Sequence, residues 1–203
     1  MTLEEIKIAE RHISSVDSVL ADVIQNQKIE FQPERINYFE SLCESIISQQ
    51  ISVAAARSIH SRFVVKTNQD PSIINNLTVD EIKQVGLSKQ KASYIKDIAS
   101  HFLNNPELYN HLESQTDERV IKELTKIKGV GVWTAQMFLM SALGRPNVFA
   151  PDDVGLQRAM MRAYNWENVL PKKELTEFAE RWSPYKTIAC RHLWKYLDSS
   201  PVY

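Results

Sequence analysis

The segment Ile127-Lys128-Gly129-Val130-Gly131-Val132-Trp133-Thr134-Ala135 joins two stretches in which apolar residues repeat at helical spacing. Two glycines separated by one residue permit positive φ and a close backbone approach, and Val130 between them can anchor the turn in a core. The segment therefore predicts a helix, a tight turn and a second helix. The N–H groups at the start of that second helix can bind an anion such as phosphate. From the glycine spacing alone, a plain helix–helix turn is an equally good explanation.

Helical spacing of apolar residues continues along almost the whole chain, and no stretch alternates long enough to form a sheet. Asp70 and Thr78 have the sequence context of helix starts, and Val85-Gly86-Leu87-Ser88 repeats the pattern of a glycine turn before a helix. Further helices are predicted over residues 3–25, 36–66, 90–104, 117–126, 132–143, 153–164, 172–180 and 184–198. We therefore predict an all-α protein of about ten short helices.

The charge balance gives no global positive field, because 24 basic residues stand against 25 acidic ones. By itself this argues against a strongly basic nucleic-acid binder. The distribution is uneven, however. Residues 1–44 hold nine acidic and four basic residues, whereas residues 45–203 hold sixteen acidic and twenty basic ones. The positive excess thus accompanies the glycine turn, and a local grip on phosphates remains compatible with the net charge of −1.

The two cysteines and five histidines have no metal-ligand spacing, so we predict no metal site. Cys43 and Cys190 are interpreted as buried, inert thiols, which excludes a disulfide framework and a four-cysteine iron–sulfur cluster. No apolar run approaches the roughly 18 residues of a membrane span. The acidic start of the chain is not typical of a secretory signal. We therefore expect no membrane association and a location in the cytoplasm, or in the nucleus if the source is eukaryotic.

A second motif follows the glycine turn: Phe149-Ala150-Pro151-Asp152-Asp153-Val154-Gly155-Leu156, with Asp153 twenty residues after Trp133. Together the two motifs resemble the helix-hairpin-helix base-excision DNA glycosylases, in particular the bacterial and yeast 3-methyladenine glycosylases of the second type. Three further segments extend the resemblance over most of the chain, namely Ile46 to Ala55, Arg181 to Lys186 and Leu193 to Leu197.

The resemblance implies that Asp153 is the catalytic carboxylate. An N-glycosidic bond breaks through an oxocarbenium-like sugar, whose charge a nearby carboxylate stabilises while it orients the attacking water. An aspartate after a proline and before a helix is more often an N-cap, and that alternative is assigned here to Asp152, which caps the helix or orients the loop.

The resemblance also implies that no strand cleavage accompanies base release. Relatives that cut the strand carry a nucleophilic lysine at the position of Trp133, and indole cannot form a Schiff base. Lys128, on the other side of the turn, is predicted to contact a phosphate. Trp133 instead suits the wall of a base pocket, because an electron-rich ring attracts the positively charged alkylated purines. Tyr185 and Met137 are predicted to complete the pocket, although the bacterial enzyme has a tyrosine where Met137 stands.

The DNA contacts implied by the resemblance lie in two segments. In the first, Gln50 or Ile51 fills the gap that an extruded nucleotide leaves in the duplex, with Ser52 beside it. In the second, the hairpin grips one backbone without reading the sequence of bases. The predicted hairpin contacts are Lys128, Gly129, Val130, Gly131 and Thr134. The resemblance admits a monovalent cation at the hairpin carbonyls and no other cofactor.

We therefore expect a monomeric, monofunctional glycosylase that acts on 3-methyladenine and 7-methylguanine in double-stranded DNA. The alternatives are a glycosylase for hypoxanthine or uracil and a non-catalytic DNA-binding module, against which the carboxylate at position 153 argues. The expected architecture has two helical lobes with an active-site cleft between them. Residues 1–34 and 146–203 form the terminal lobe, and residues 35–145 form the central lobe, which ends in the hairpin.

Overall fold

A computed structural model of the chain describes residues 2–29 and 37–198. In this part of the chain the backbone forms thirteen α-helices and two short 3-10 helices and contains no β-strand, which confirms the predicted all-α class. None of the described helices is both long and apolar enough to cross a membrane. The contacts divide the chain into a central unit, Arg35–Leu143, and a terminal unit made of Met1–Glu34 and Gly144–Tyr203. The predicted boundary after residue 34 lies outside the described residues. The second boundary falls after Leu143, two residues before the predicted position after residue 145.

The central unit is built around Lys89–Asn104 (α7), which packs against Tyr38–Ser48 (α3), Pro71–Asn76 (α5) and Val79–Lys83 (α6). Its core consists of aliphatic and aromatic side chains such as Leu42, Phe63 and Ile95. Its helices are α3 (Tyr38–Ser48), α4 (Val53–Thr67), α5 (Pro71–Asn76), α6 (Val79–Lys83), α7 (Lys89–Asn104), α8 (Pro106–Tyr109), α9 (Asp117–Leu124) and α10 (Val132–Ser141), with a 3-10 turn at Leu112–Ser114.

Helix ends in this unit follow local side-chain chemistry. Asp70 caps α5 and Thr78 forms a capping box with Glu81 at the start of α6, as the sequence predicts. The prediction of one helical stretch over 36–66 is wrong between α3 and α4. There Gln50 adopts a φ of 58°, and Ser52 accepts a hydrogen bond from the backbone N–H of Ala55 to begin a new helix.

The terminal unit contains α1 (Leu3–Val16), α2 (Ser18–Gln25), α11 (Val154–Ala163), α12 (Lys172–Ala179) and α13 (Lys186–Asp198), with a 3-10 turn at Glu180–Trp182. The predicted helix over 3–25 is interrupted at Asp17, which caps α2. Its buried carboxylate accepts hydrogen bonds from Leu20 N, from Tyr164 Oη at 2.6 Å and from Trp182 Nε1 at 2.9 Å. Three donors satisfy a charge that would otherwise be costly to bury.

A second buried polar group of the terminal unit is His192. Burial lowers its pKa to about 4, so the ring is neutral at physiological pH. Nε2 lies 3.1 Å from Glu10 Oε1 and Nδ1 lies 3.3 Å from Gln27 Nε2. These partners assign the ring proton to Nε2, which donates to Glu10, while Nδ1 accepts from Gln27. Cys43 and Cys190 are both buried as free thiols, as predicted, and burial raises the pKa of each.

Candidate functional site

The glycine turn connects α9 to α10 in the conformation that its sequence indicates. Gly129 has a φ of 84°, and a Cβ added to it would lie 2.2 Å from Cδ2 of Tyr94, so this position requires glycine for two independent reasons. Val130 is only 5% exposed and anchors the turn in the core. Gly131 begins α10 without a side-chain cap, and nothing lies within 4 Å of where its Cβ would stand. The helix N-terminus therefore faces open space with its N–H groups uncapped by a side chain, which is the geometry of an anion site.

Two polar side chains hold the turn from the side of the protein. The backbone N–H of Lys128 donates to Asp97 Oδ2 at 2.8 Å, and Lys128 Nζ lies 3.6 Å from Asp97 Oδ1. The Lys128 side chain is still 74% exposed, so its ammonium remains accessible to a phosphate. Gln49 Nε2 donates to the carbonyl of Gly129 at 3.3 Å. This carbonyl oxygen keeps a second lone pair that a cation could use. The cation at the hairpin carbonyls stays a prediction. The described residues contain no cluster of His, Cys, Asp and Glu side chains able to hold a metal ion.

The loop between α3 and α4 presents the predicted gap-filling residues. Gln50 is exposed at the position of positive φ, and Ile51 is 38% exposed beside it. Ser52 is exposed but uses its hydroxyl as the cap of α4. Lys91 braces this loop from α7: its Nζ donates to the carbonyls of Ile47 at 2.9 Å and Gln49 at 2.5 Å. Burial lowers the pKa of Lys91. Its positive charge stabilises the carbonyl groups at the C-terminus of α3.

The first turns of α10 distribute the predicted pocket residues over different faces. Trp133 is 42% exposed and Met137, one turn later, lines a cavity between α3 and α10. Thr134 is only 5% exposed and lines the same cavity. Its side chain is thus withdrawn from the outer surface, because helical periodicity turns position 134 toward α3 while it turns Trp133 outward. The predicted contact of Thr134 with DNA stays a prediction.

Asp153, in the terminal unit, begins α11 and is held by two donors that converge on one oxygen. Oδ1 accepts from the backbone N–H of Leu156 at 2.6 Å and from the indole Nε1 of Trp194 at 2.9 Å. A Cβ at Gly155 would lie 3.2 Å from this oxygen, so the glycine leaves room for it. Asp153 is therefore the N-cap, and the expectation that Asp152 caps the helix is wrong. Asp152 is exposed and pairs with Lys172.

Tyr185, which precedes α13, and Cys190, within α13, belong to the same unit as Asp153. Tyr185 is half-buried, and its ring meets that of His12 edge to face with 5.4 Å between the ring centres. His12 Nε2 also lies 2.8 Å from the carbonyl oxygen of Ser183. Cys190 lies close enough to Asp153 for the carboxylate charge to add to the effect of burial in raising the pKa of the thiol.

Three residues with clear contacts to the candidate site were not predicted for these roles. The indole of Trp194 donates to Asp153, a contact that the segment Leu193 to Leu197 does not indicate by itself. Lys91 and Asp97 support the α3–α4 loop and the hairpin from α7. In each case the partner lies more than thirty residues away in the chain, so spacing carries no local signal. The only indication for Lys91 was its place after the second glycine turn.

The chain is similar to known base excision repair proteins in sequence and in fold. The family model described as "HhH-GPD superfamily base excision DNA repair protein" matches residues 43–184. The DNA-3-methyladenine glycosylase of Saccharomyces cerevisiae is 31% identical, with 95% of this chain and 80% of that protein covered. The putative DNA-3-methyladenine glycosylase YfjP of Bacillus subtilis is 29% identical over 79% of this chain, which spans 59% of that longer protein. The structure of Schizosaccharomyces pombe 3-methyladenine DNA glycosylase (Mag1) in complex with abasic DNA superposes with a TM-score of 0.80 at 27% identity, covering 92% of this chain and 95% of that one.

Proposed function

The chain belongs to the HhH-GPD superfamily of base excision DNA repair proteins, and we propose that it is a monofunctional glycosylase for alkylated purines in duplex DNA. The reaction hydrolyses the N-glycosidic bond and leaves an abasic site. The observation that carries the proposal is Asp153: a half-buried carboxylate at a helix N-terminus, held by Leu156 N and Trp194 Nε1, at the position that the resemblance of the motif assigns to the catalytic aspartate. The names of the relatives supply the substrate class.

The proposed mechanism uses the Asp153 carboxylate, the hairpin and the ring of Trp133. The Asp153 carboxylate stabilises the positive charge that develops on the sugar as the bond breaks, and it orients the attacking water. The amide groups at the start of α10 and the exposed Lys128 ammonium bind a phosphate of one strand. Trp133 offers its exposed ring to the extruded base, where a cationic purine gains a cation–π contact.

The absence of strand cleavage follows from the chemistry of the side chain at position 133. A lyase step needs an amine that attacks the sugar carbon and forms a Schiff base, and the indole of Trp133 cannot do so. Lys128, the nearest amine in the hairpin sequence, lies on the other side of the turn and is assigned to a phosphate contact. We propose that the enzyme works as a monomer on DNA, in the cytoplasm of a bacterium or archaeon or in the nucleus of a eukaryote.

The experiment measures release of 3-methyladenine and 7-methylguanine from alkylated duplex DNA by the wild-type chain and by Asp153→Asn. Asparagine caps a helix about as well as aspartate, so α11 should keep its start while the charge is lost. We expect release to fall below detection in Asp153→Asn and duplex binding to persist. Asp152→Asn is the matched control, because it removes the neighbouring exposed carboxylate and should keep wild-type release.

Three results would overturn the proposal. Release of methylated bases by Asp153→Asn at the wild-type rate would remove the catalytic role of this carboxylate. Strand nicking that appears with base release, before any treatment with alkali, would contradict the monofunctional mechanism. Binding of a lesion duplex without base loss by the wild-type chain would favour a DNA-binding module instead.

A further inference from the structure

The cavity between α3 and α10 has a volume of about 250 Å³ and lies entirely within the central unit. Met137, a predicted pocket residue, forms part of its wall one helical turn after Trp133. Five of the lining residues carry hydroxyl groups, one carries a carboxylate, and none of them is Lys, Arg or His. Drug-sized ligands occupy pockets of roughly 300–1,000 Å³, so a cavity of this size suits a guest no larger than a nucleobase.

Three of the five hydroxyl groups can only accept hydrogen bonds from a guest, because each already donates its hydrogen to a backbone carbonyl. Ser45 Oγ donates to Leu42 O at 2.8 Å, and Ser48 Oγ donates to Ser45 O at 3.1 Å. Ser141 Oγ donates to Met137 O at 2.7 Å. Each hydroxyl has one hydrogen, and that hydrogen is committed to the helix backbone, so its lone pairs are what a guest meets. The lining therefore favours a guest that donates hydrogen bonds.

Glu44 gives the cavity a formal negative charge. Its carboxylate is exposed at the cavity wall and has no ion pair or hydrogen bond with any described side chain. Among the described residues that line the cavity none is basic, so no lining group neutralises the charge. An unpaired carboxylate among acceptor oxygens attracts a cation and gives a neutral guest no comparable gain. Purines alkylated at N3 or N7 carry a positive charge, whereas unmodified purines are neutral.

From this chemistry we propose that Glu44 determines specificity: together with the serine oxygens of the cavity it selects positively charged purines over neutral ones. The inference rests on the proposed glycosylase function and adds to it the group that recognises the charge. Trp133 attracts a cation through its ring face, and Glu44 does so through a full charge on the opposite helix. The two contributions are separable because they reside on different elements, α10 and α3.

The test is Glu44→Gln, which keeps the size of the side chain and removes its charge. The matched control is Glu40→Gln, one turn earlier on α3 and outside the cavity lining. We expect kcat/KM for 7-methylguanine release to fall about three- to tenfold in Glu44→Gln, a modest factor because water screens an exposed charge. Affinity for a duplex with an abasic-site analogue should stay equal or rise, because a negative charge near the phosphates has been removed.

The sign of the change separates the explanations. Removing any carboxylate that merely repels DNA raises or preserves kcat/KM, and Glu40→Gln should show this behaviour. An unchanged or increased kcat/KM in Glu44→Gln would overturn the inference while leaving the glycosylase function intact. Equal losses in both variants would also overturn it, since the effect would not belong to the cavity. If the wild-type chain releases no methylated base, it is the proposed function that fails.

Discussion

Trp194→Phe tests whether the indole that reaches Asp153 contributes to catalysis. The substitution keeps an aromatic ring in a half-buried place and removes one donor, Nε1, which lies 2.9 Å from Asp153 Oδ1. A hydrogen bond to a charged group is worth about 1.5–3 kcal/mol, and each 1.4 kcal/mol corresponds to a factor of about ten in rate. If that energy holds the carboxylate in its reactive position, kcat should fall about 10- to 100-fold. Leu156 N still holds the same oxygen at 2.6 Å, so activity should not vanish.

The assay is single-turnover release of 7-methylguanine from a duplex with one lesion, with affinity for an abasic-site duplex measured in parallel. A positioning role predicts a lower rate of chemistry at saturating enzyme and an unchanged dissociation constant. Trp166→Phe is the control: it changes another half-buried indole of the terminal unit, one that stacks on Tyr164. A rate for Trp194→Phe within twofold of wild type would refute the reasoning. So would an equal loss in Trp166→Phe, which would point to general destabilisation.

Two further predictions concern stability. Gly129→Ala should lower the free energy of unfolding by about 2–4 kcal/mol in urea titrations, because the added Cβ would lie 2.2 Å from a Tyr94 ring carbon and the φ is 84°. Gly131→Ala is the control: with open space around its Cβ, it should cost less than about 1 kcal/mol. Similar losses in the two variants would contradict the packing argument. His192 has a folded-state pKa of about 4, below its ordinary 6.5, so the unfolded chain binds more protons and stability falls as pH drops through that interval. Between pH 7 and pH 5 the protonation of His192 should lower the free energy of unfolding by about 2 kcal/mol. The control is His192→Gln, which can still donate a hydrogen bond to Glu10 but does not titrate. An equal loss of stability in this variant would assign the pH dependence to other groups.

Much of the fold could be predicted from the sequence, because helices and turns depend on neighbours in the chain. The capping residues Asp70 and Thr78 and the glycine turn at 129 all act within a few residues of themselves. The interruption at Gln50 was missed, since the apolar spacing of α3 runs without a phase change into residues 51 and 59. Only the local backbone geometry, with positive φ before the Ser52 cap, shows that two helices meet there.

The candidate site was less predictable, because its supports come from distant parts of the chain. The spacing of the two motifs points to Asp153, but Trp194 is 41 residues further on and its neighbours read as an ordinary amphipathic helix. Likewise Asp97 lies 31 residues before Lys128, and its carboxylate accepts a hydrogen bond from the backbone N–H of Lys128. Helical periodicity also decides which side chains face outward: it exposes Trp133 and buries its neighbour Thr134.

The two interpretations of Asp153, a helix cap and a catalytic carboxylate, are not competing explanations. The cap hydrogen bond from Leu156 N ties the carboxylate to the start of α11. The bond from Trp194 ties the same oxygen to α13, so two helices fix one carboxylate. A side chain held at two points loses little further entropy when the reaction needs it in place. A frequent structural role therefore supplies the preorganisation on which the proposed role of Asp153, stabilising a short-lived sugar cation, depends.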